Sequence, residues 1–150
     1  MVPVAPCAGV RKGGGMKRKG SYEAETRGIR VRVTPVYLDG ESDPDEGRWI
    51  WAYHIEIENR GEAEVQLLAR HWIITDAMGH VEEVHGSGVV GEQPMIRPGD
   101  TYAYASGCPL ATSSGAMQGA YRMVDETGVS FDVTIPPFSL DVPDARRVLN

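Results

Sequence analysis

Apolar and polar residues alternate with a period of two along most of the chain from residue 28 onward. In GIRVRV, Ile29, Val31 and Val33 fall on one side of the chain and the arginines on the other. The longest alternation is WIWAYHIEIEN at 49–59, whose predicted inward face is Trp49, Trp51, Tyr53, Ile55 and Ile57. Such alternation predicts strands that bury one face.

Further strands are predicted between turns that contain Gly, Pro or Asp. The segment EVQLLARHWIITD (64–76) is apolar on both faces around Trp72, which is typical of a central strand. Three shorter strands are predicted at 80–85, 101–107 and 116–124. The pair Pro136-Pro137 is predicted to end the regular structure, after a last strand whose inward face is Val129, Phe131, Val133 and Ile135.

The number and spacing of these strands predict the fold class. There are about seven to eight short strands with turns every 8–12 residues or so, and no segment sustains the apolar period of 3.6 that a helix requires. We therefore expect an all-β fold, an antiparallel sandwich of the immunoglobulin or fibronectin type III kind. A closed barrel is the alternative. The single domain is expected at 21–145, between a flexible basic tail at 1–20 and a short C-terminal tail at 146–150.

Charge is divided unevenly along the chain. The net charge is −6, but residues 1–20 contain five basic residues and no acidic one, which leaves −11 for the rest. An acidic body repels phosphate backbones, so we do not expect the folded domain to bind nucleic acid. Met16 is an alternative start, with residues 1–15 as an upstream extension.

Two features of the sequence favour a cytoplasmic location. No apolar run approaches the roughly 20 residues that a membrane span needs. The N-terminus also lacks the order of segments found in a signal peptide. Cys7 and Cys108 are accordingly expected to be reduced thiols.

The stretch HGSGVVGEQP (85–94) contains Gly86, Gly88 and Gly91 in the pattern G-x-G-x-x-G. In a dinucleotide-binding turn this pattern must open a helix whose N–H groups hold the pyrophosphate. Pro94 forbids such a helix here, so a Rossmann site is excluded. A structural loop is the favoured interpretation. The alternative is an anion or nucleotide site made by backbone N–H groups, with His85 and Arg97 as nearby positive charges.

Metal ligation is a weaker candidate. His80 and Glu82 share one face of their strand, and Glu83 and His85 share the other. Two ligands per face fall short of the three or four that zinc needs. His54 or His71 could supply a third, but a solvated polar face is favoured. No metal is therefore assigned, with His80 and His85 as the weak candidates.

No catalytic residues are predicted, because no nucleophile lies beside a base and no elbow motif G-x-S-x-G is present. Tyr104 and Tyr121 lie among small residues in the region 104–123, and such side chains are enriched at adaptable interfaces. They are therefore the candidate interaction surface, and the alternative is that each belongs to the core.

Four stretches together resemble the ApaG family: YLDGESDP, WAYHIEIENRGEAEVQLLARHWIITDAMG, VEEVHGSGVVGEQPMIRPGDTYAYASGCPLATSSGAMQGAYRMVDETG and FDVTIPPFSLDVP. They follow the family's order and spacing from about Tyr22 to Pro143. The resemblance implies a fold similar to fibronectin type III sandwiches. ApaG domains also occur as modules in larger eukaryotic proteins, which implies protein–protein interaction.

The resemblance carries further expectations about ligands. The family, also known as CorD, has been linked to cobalt and magnesium resistance, and its glycine motif maps onto Gly86, Gly88 and Gly91. That motif has been proposed to bind pyrophosphate or nucleotide. No family-wide catalytic activity can be carried over.

We therefore expect a non-enzymatic cytoplasmic module that binds other proteins, with at most an indirect role in Co²⁺ or Mg²⁺ homeostasis. No cofactor is expected beyond weakly bound Mg²⁺ or Co²⁺, and a homodimer is left open. The alternative is a protein that binds a nucleotide, pyrophosphate or a diadenosine polyphosphate through the loop at 86–91.

Overall fold

The computed structural model describes residues 9–12 and 20–143, which form two antiparallel sheets around one apolar core. The strands are β1 (Gly9–Lys12), β2 (Tyr22–Thr26), β3 (Ile29–Tyr37), β4 (Trp49–Asn59), β5 (Val65–Asp76), β6 (Val81–Ser87), β7 (Met95–Ile96), β8 (Asp100–Leu110), β9 (Ser114–Asp125) and β10 (Ser130–Asp141). Two 3-10 helices, Asp39–Glu41 and Pro44–Glu46, connect β3 to β4. Within the described ranges, no helix has the length and apolar character to span a membrane.

The sheet topology confirms the predicted sandwich. The first sheet has the order β1-β8-β4-β3-β2 and the second the order β10-β9-β5-β6, while β7 pairs with the start of β5. The closed-barrel alternative is wrong, because the described strands form two separate sheets. More strands are present than the sequence predicts, since β1, β2 and β7 are too short or too mixed in polarity to show a clear alternation.

Most of the two predicted tails lies outside the described residues. The exception in the basic tail is β1, which pairs with β8 from Gly9 opposite Ala103 to Lys12 opposite Asp100. Cys7 also lies outside the described residues. Cys108 is a free, buried thiol.

The core is built from the alternating faces that the sequence predicts. Three aromatic rings contributed by different strands meet at its centre: the ring centroid of Trp72 lies 5.2 Å from that of Tyr53 and 6.0 Å from that of Phe138. Trp51 is also buried, and its indole N–H donates to the Asp141 carbonyl at 2.8 Å. Aromatic packing of this kind contributes beyond the burial of area alone.

The C-terminal strand corrects the sequence prediction at both ends. Val129 precedes β10 and is half exposed, so it is not part of the inward face. At the other end, β10 continues through Pro136 and Pro137 to Asp141. The pairing with β9 shifts register between Ile135 and Phe138, and this irregularity accommodates two residues that cannot donate a ladder hydrogen bond.

Tyr104 and Tyr121 do not form an interaction surface, which corrects the expectation from sequence. Both side chains are buried in the core, and their hydroxyl oxygens are 2.5 Å apart in a hydrogen bond. Burial raises the pKa of both phenols well above the ordinary value. Their position follows from alternation, since each lies on the inward face of its strand, and the small neighbours in sequence point away from the core.

Replacement of Gly119 by Ala tests the close approach of β9 to β5. A Cβ at this position would lie 2.1 Å from the His71 carbonyl oxygen, which is a backbone atom that cannot rotate away. We expect Gly119→Ala to lower the free energy of unfolding by about 1–3 kcal/mol, as overpacking does elsewhere. Urea denaturation measures the loss. The matched control is Gly40→Ala, because a Cβ at Gly40 meets no atom within 4 Å, and an equal loss in both variants would contradict the packing described.

Candidate functional site

The hairpin of β5 and β6 brings three chemically active side chains together. His71 on β5 lies directly opposite His85 on β6, and Ile73 lies opposite Glu83. Because side chains two residues apart in a strand share a face, Glu83 and His85 project on the same side as His71. The outer face of the second sheet thus carries a cluster of His71, Glu83 and His85, here called the His–Glu–His cluster.

Hydrogen bonds at the two ends of this hairpin define its ladder. The Asp76 N–H donates to the His80 carbonyl at 3.0 Å, and the Gly88 N–H donates to the Leu68 carbonyl at 2.8 Å. Antiparallel pairs alternate between hydrogen-bonded and non-hydrogen-bonded, so counting inward from either end makes His71 and His85 a non-hydrogen-bonded pair. Side chains approach most closely in such pairs. The two imidazole rings accordingly stack, with centroids 4.0 Å apart and planes 10° apart.

The Glu83 carboxylate bridges both rings. Its Oε1 lies 3.0 Å from His71 Nε2 and 3.5 Å from His85 Nε2. The hydrogen bond from His71 is the main reason why the pKa of Glu83 lies below its usual range. The side chains of His71, Glu83 and His85 are 36%, 57% and 68% exposed, so the cluster is open to solvent.

A groove of about 280 Å³ runs beside the cluster on the same face. Its floor includes Ala69 and Ala120, whose short side chains leave room above the sheet. On the side away from β6 the groove is bounded by Arg122 and Asp132, which form an ion pair at 2.8 Å. The cluster therefore borders a depression that combines an alanine floor with charged residues at its side.

The two histidines named as weak metal candidates are separated by the fold. His80 lies before β6, where its Nδ1 is 3.2 Å from Asp76 Oδ2 and its backbone N–H donates to Asp76 Oδ1 at 3.0 Å. His85 instead joins His71, which the sequence offers only as an alternative third ligand. The pairing register of β5 with β6 selects His71, and the alternation of the two strands does not by itself set that register.

The glycine motif forms a loop held largely by its own backbone. The Gly88 N–H is bound to the Leu68 carbonyl, and Val89 and Glu92 exchange two backbone hydrogen bonds of 2.8 Å. Gly88 and Gly91 have φ angles of +60° and +82°, in the left-handed region that favours glycine. The N–H groups of Gly88 and Val89 thus have acceptors within the chain.

Gly86 has a different role, which is to make room for Arg70. A Cβ on Gly86 would lie 2.7 Å from the Arg70 guanidinium carbon. In this position Arg70 Nη1 donates to the carbonyls of Ser87 at 3.0 Å and Gly88 at 2.9 Å. The positive charge nearest the loop is therefore engaged by loop carbonyls. Arg97, the cation expected from sequence, lies 3.5 Å from the Glu64 carboxylate.

The two loop glycines are expected to respond differently to replacement by Ala. At Gly88 a Cβ would lie 2.1 Å from the Glu92 carbonyl oxygen, in addition to the strain of a positive φ. We expect Gly88→Ala to lower the free energy of unfolding by about 1–3 kcal/mol. Gly86→Ala should cost less, because the atoms it meets are the far end of a flexible side chain. Urea denaturation of both variants measures the difference, and equal losses would contradict these roles.

The similarity of the chain to known proteins identifies its family. The family model described as the ApaG domain matches residues 39–125. The chain belongs to the ApaG family. Protein ApaG of Brucella canis is 58% identical over 129 residues, covering 86% of this chain and 99% of that protein. Protein ApaG of Xanthobacter autotrophicus is 57% identical, also over 129 residues that cover 86% of this chain and 99% of that protein.

Solved structures agree with the ApaG assignment and with the fold. The crystal structure of the putative ApaA protein from Bordetella pertussis superimposes with a TM-score of 0.75 at 47% identity, covering 77% of this chain and 94% of that one. A second X-ray structure, a structural-genomics target, gives a TM-score of 0.74 at 46% identity, covering 79% of this chain and 89% of that one. The resemblance stated from sequence is therefore confirmed.

Proposed function

We propose that this ApaG-family protein is a non-enzymatic protein-interaction module of the cytoplasm, and that its partner adds a strand to the free edge of β6. The observation that carries this proposal is the position of β6 at the end of the second sheet. Among the described strands, β6 is hydrogen-bonded to β5 alone. An open edge of this kind presents backbone donors and acceptors to any extended segment that can align with it.

The ladder determines which backbone groups face outward. Hydrogen-bonded pairs recur at every second residue of the ladder, and on β6 they fall at Glu82, Val84 and Gly86. These three residues therefore direct their N–H and C=O groups to β5. The alternate residues Val81 and His85 direct theirs to the free edge, as does Glu83 between them. The opposite end of the sheet is less accessible, because β10 packs against β2 and β3.

The side chains around this edge indicate the chemistry of the partner. Glu82 and Glu83 make the strand acidic, and Val81 and Met78 are 61% and 74% exposed. An extended segment that combines basic residues with one or two apolar residues would complement both features. Glu82 lies opposite the buried Ile74, on the core-facing side of the strand, but is itself exposed, and a charge in this position also discourages indiscriminate edge-to-edge pairing.

The absence of catalytic function is part of the same proposal. Burial raises the pKa of the Cys108 thiol to about 12, which keeps it in the unreactive protonated form. The buried phenols of Tyr104 and Tyr121 are likewise neutral and bound to each other. The nucleotide alternative has less support, because the N–H groups of Gly88 and Val89 are already used. A link to Co²⁺ or Mg²⁺ homeostasis would act through a partner.

The proposal is tested with a basic, extended peptide selected for binding from a display library. Val81→Pro removes an outward N–H at the first residue of β6, where proline is tolerated, and leaves the bonds to β5 intact. We expect the peptide's affinity to fall at least about tenfold, because the peptide loses one backbone hydrogen bond to residue 81 and the adjacent hydrogen bond is weakened. The matched control, Val81→Thr, also loses an apolar side chain but keeps the N–H, and should bind within about threefold of the parent.

Amide hydrogen exchange locates the bound peptide. In the free protein the amides of Glu82 and Val84 should exchange slowly and those of Glu83 and His85 rapidly. Peptide binding should slow the exchange of the Glu83 and His85 amides as well. A peptide that binds equally to both Val81 variants, or leaves these two amides unprotected, contradicts the proposal. Addition of pyrophosphate tests the nucleotide alternative and is expected to leave the melting temperature unchanged.

A further inference from the structure

We infer that the His–Glu–His cluster is a binding site for a divalent transition-metal ion of the zinc class. The inference goes beyond the proposed function, because it concerns the side chains on the face of the hairpin and not the backbone at its edge. His71, Glu83 and His85 each offer one ligand atom, and these three atoms lie within 4.8 Å of one another. Two imidazoles with one carboxylate are a set that zinc uses when a further position stays open.

The distances between the ligand atoms fit a common ion. Ligands about 2.0–2.1 Å from a tetrahedral zinc ion are separated from each other by about 3.3 Å. The distances from Glu83 Oε1 to the two Nε2 atoms, 3.0 Å and 3.5 Å, lie on either side of that value. Side-chain rotations that also bring the two Nε2 atoms together would place all three ligand atoms, which lie within 4.8 Å of one another, around one ion.

The sheet holds two of the ligands in place before any ion arrives. His71 and His85 are a directly opposed pair on two hydrogen-bonded strands, so the sheet fixes the positions of their backbones. Their rings stack face to face, and each ring must turn so that the Nε2 lone pair, which lies in the ring plane, points at the ion. No rearrangement of the backbone is then needed on binding, which favours affinity. Both Nε2 atoms lie toward the Glu83 carboxylate, so the ion would take the position between the three groups.

The ligand types select among ions. Imidazole nitrogen suits zinc, copper and nickel, whereas Mg²⁺ and Ca²⁺ require oxygen ligands almost exclusively. The solvent exposure of all three side chains leaves at least one coordination position for water or for a donor from another molecule. The adjoining groove, about 280 Å³ in volume, gives such a donor access along the sheet face.

The test is calorimetric titration of the chelator-treated full chain with Zn²⁺ at pH 7.5, with Mg²⁺ as the comparison ion. We expect one Zn²⁺ per chain at this site and no comparable binding of Mg²⁺. His85→Gln and Glu83→Gln should each weaken Zn²⁺ binding at least about tenfold. The matched control is His80→Gln, which removes an exposed histidine near the same strand but outside the cluster, and it should bind as the parent does.

A further measurement assigns the ion to these atoms. Nitrogen NMR should show the Nε2 resonances of His71 and His85 shifting on addition of Zn²⁺ while that of His80 stays in place. Melting temperatures without metal verify that each variant is folded.

Equal Zn²⁺ affinity in His85→Gln and His80→Gln, or unshifted Nε2 resonances of His71 and His85, would overturn the inference. Neither result bears on the proposal that a partner strand binds the edge of β6, because that proposal is tested by the affinity of a peptide and needs no metal ion. The proposed function can therefore fail while the metal site stands, and the converse also holds.

Discussion

The burial of Trp72 in the middle of β5 is the constraint on which the second sheet depends. Its ring packs against Tyr53 from the first sheet and Phe138 from β10, so it ties β5 to both layers of the sandwich. From Ala69 onward the pairing of β5 is regular and its side chains alternate, so a slip of one residue there would expose Trp72 and bury His71. Loss of a buried tryptophan costs about 3–5 kcal/mol, which is a large fraction of the stability of a domain this size. The register of β5 is therefore held by its core face.

Both proposed sites follow from that register. With Trp72 inward, His71 points outward, and the turn at 77–79 then places His85 directly across from it. The same ladder directs the backbone groups of alternate β6 residues to the free edge. Side chains leave a sheet perpendicular to its plane, whereas hydrogen-bonding groups lie within the plane. Glu83 and His85 can thus contribute ligands on the face and backbone contacts at the edge without conflict.

The glycine motif illustrates how a chemical signature depends on its surroundings. Pro94 already excludes the helix of a dinucleotide site, and the structure assigns separate structural roles to two of the glycines. Gly86 admits the Arg70 guanidinium, and Gly88 admits the Glu92 carbonyl in a tight turn. The contact of Gly88 lies within one tight turn, whereas that of Gly86 involves a residue of β5, which no local pattern could have indicated.

Predictions from sequence succeeded where alternation was long and failed where polarity was mixed. The inward faces of β3 and β4 and the burial of Trp72 follow from period two alone. The sequence leaves the burial of Tyr104 and Tyr121 undecided, because tyrosine is found both in cores and at interfaces, and their strands are too mixed in polarity to show which face is inward. The continuation of β10 past Pro136 was missed for a related reason. Proline is unfavourable inside a ladder, but a register shift at a sheet edge can accommodate it.

The sequence by itself determined the fold class, the family and the faces of the longest strands, because these depend on local periodicity and on motif order. It also placed Glu83 and His85 on one face, since they are two residues apart in one strand. Only the tertiary structure decided that His71 completes the cluster, that His80 does not, and that β6 is an edge. The physical reason is that strand pairing joins residues distant in sequence, and the pairing is selected by the packing of the whole core.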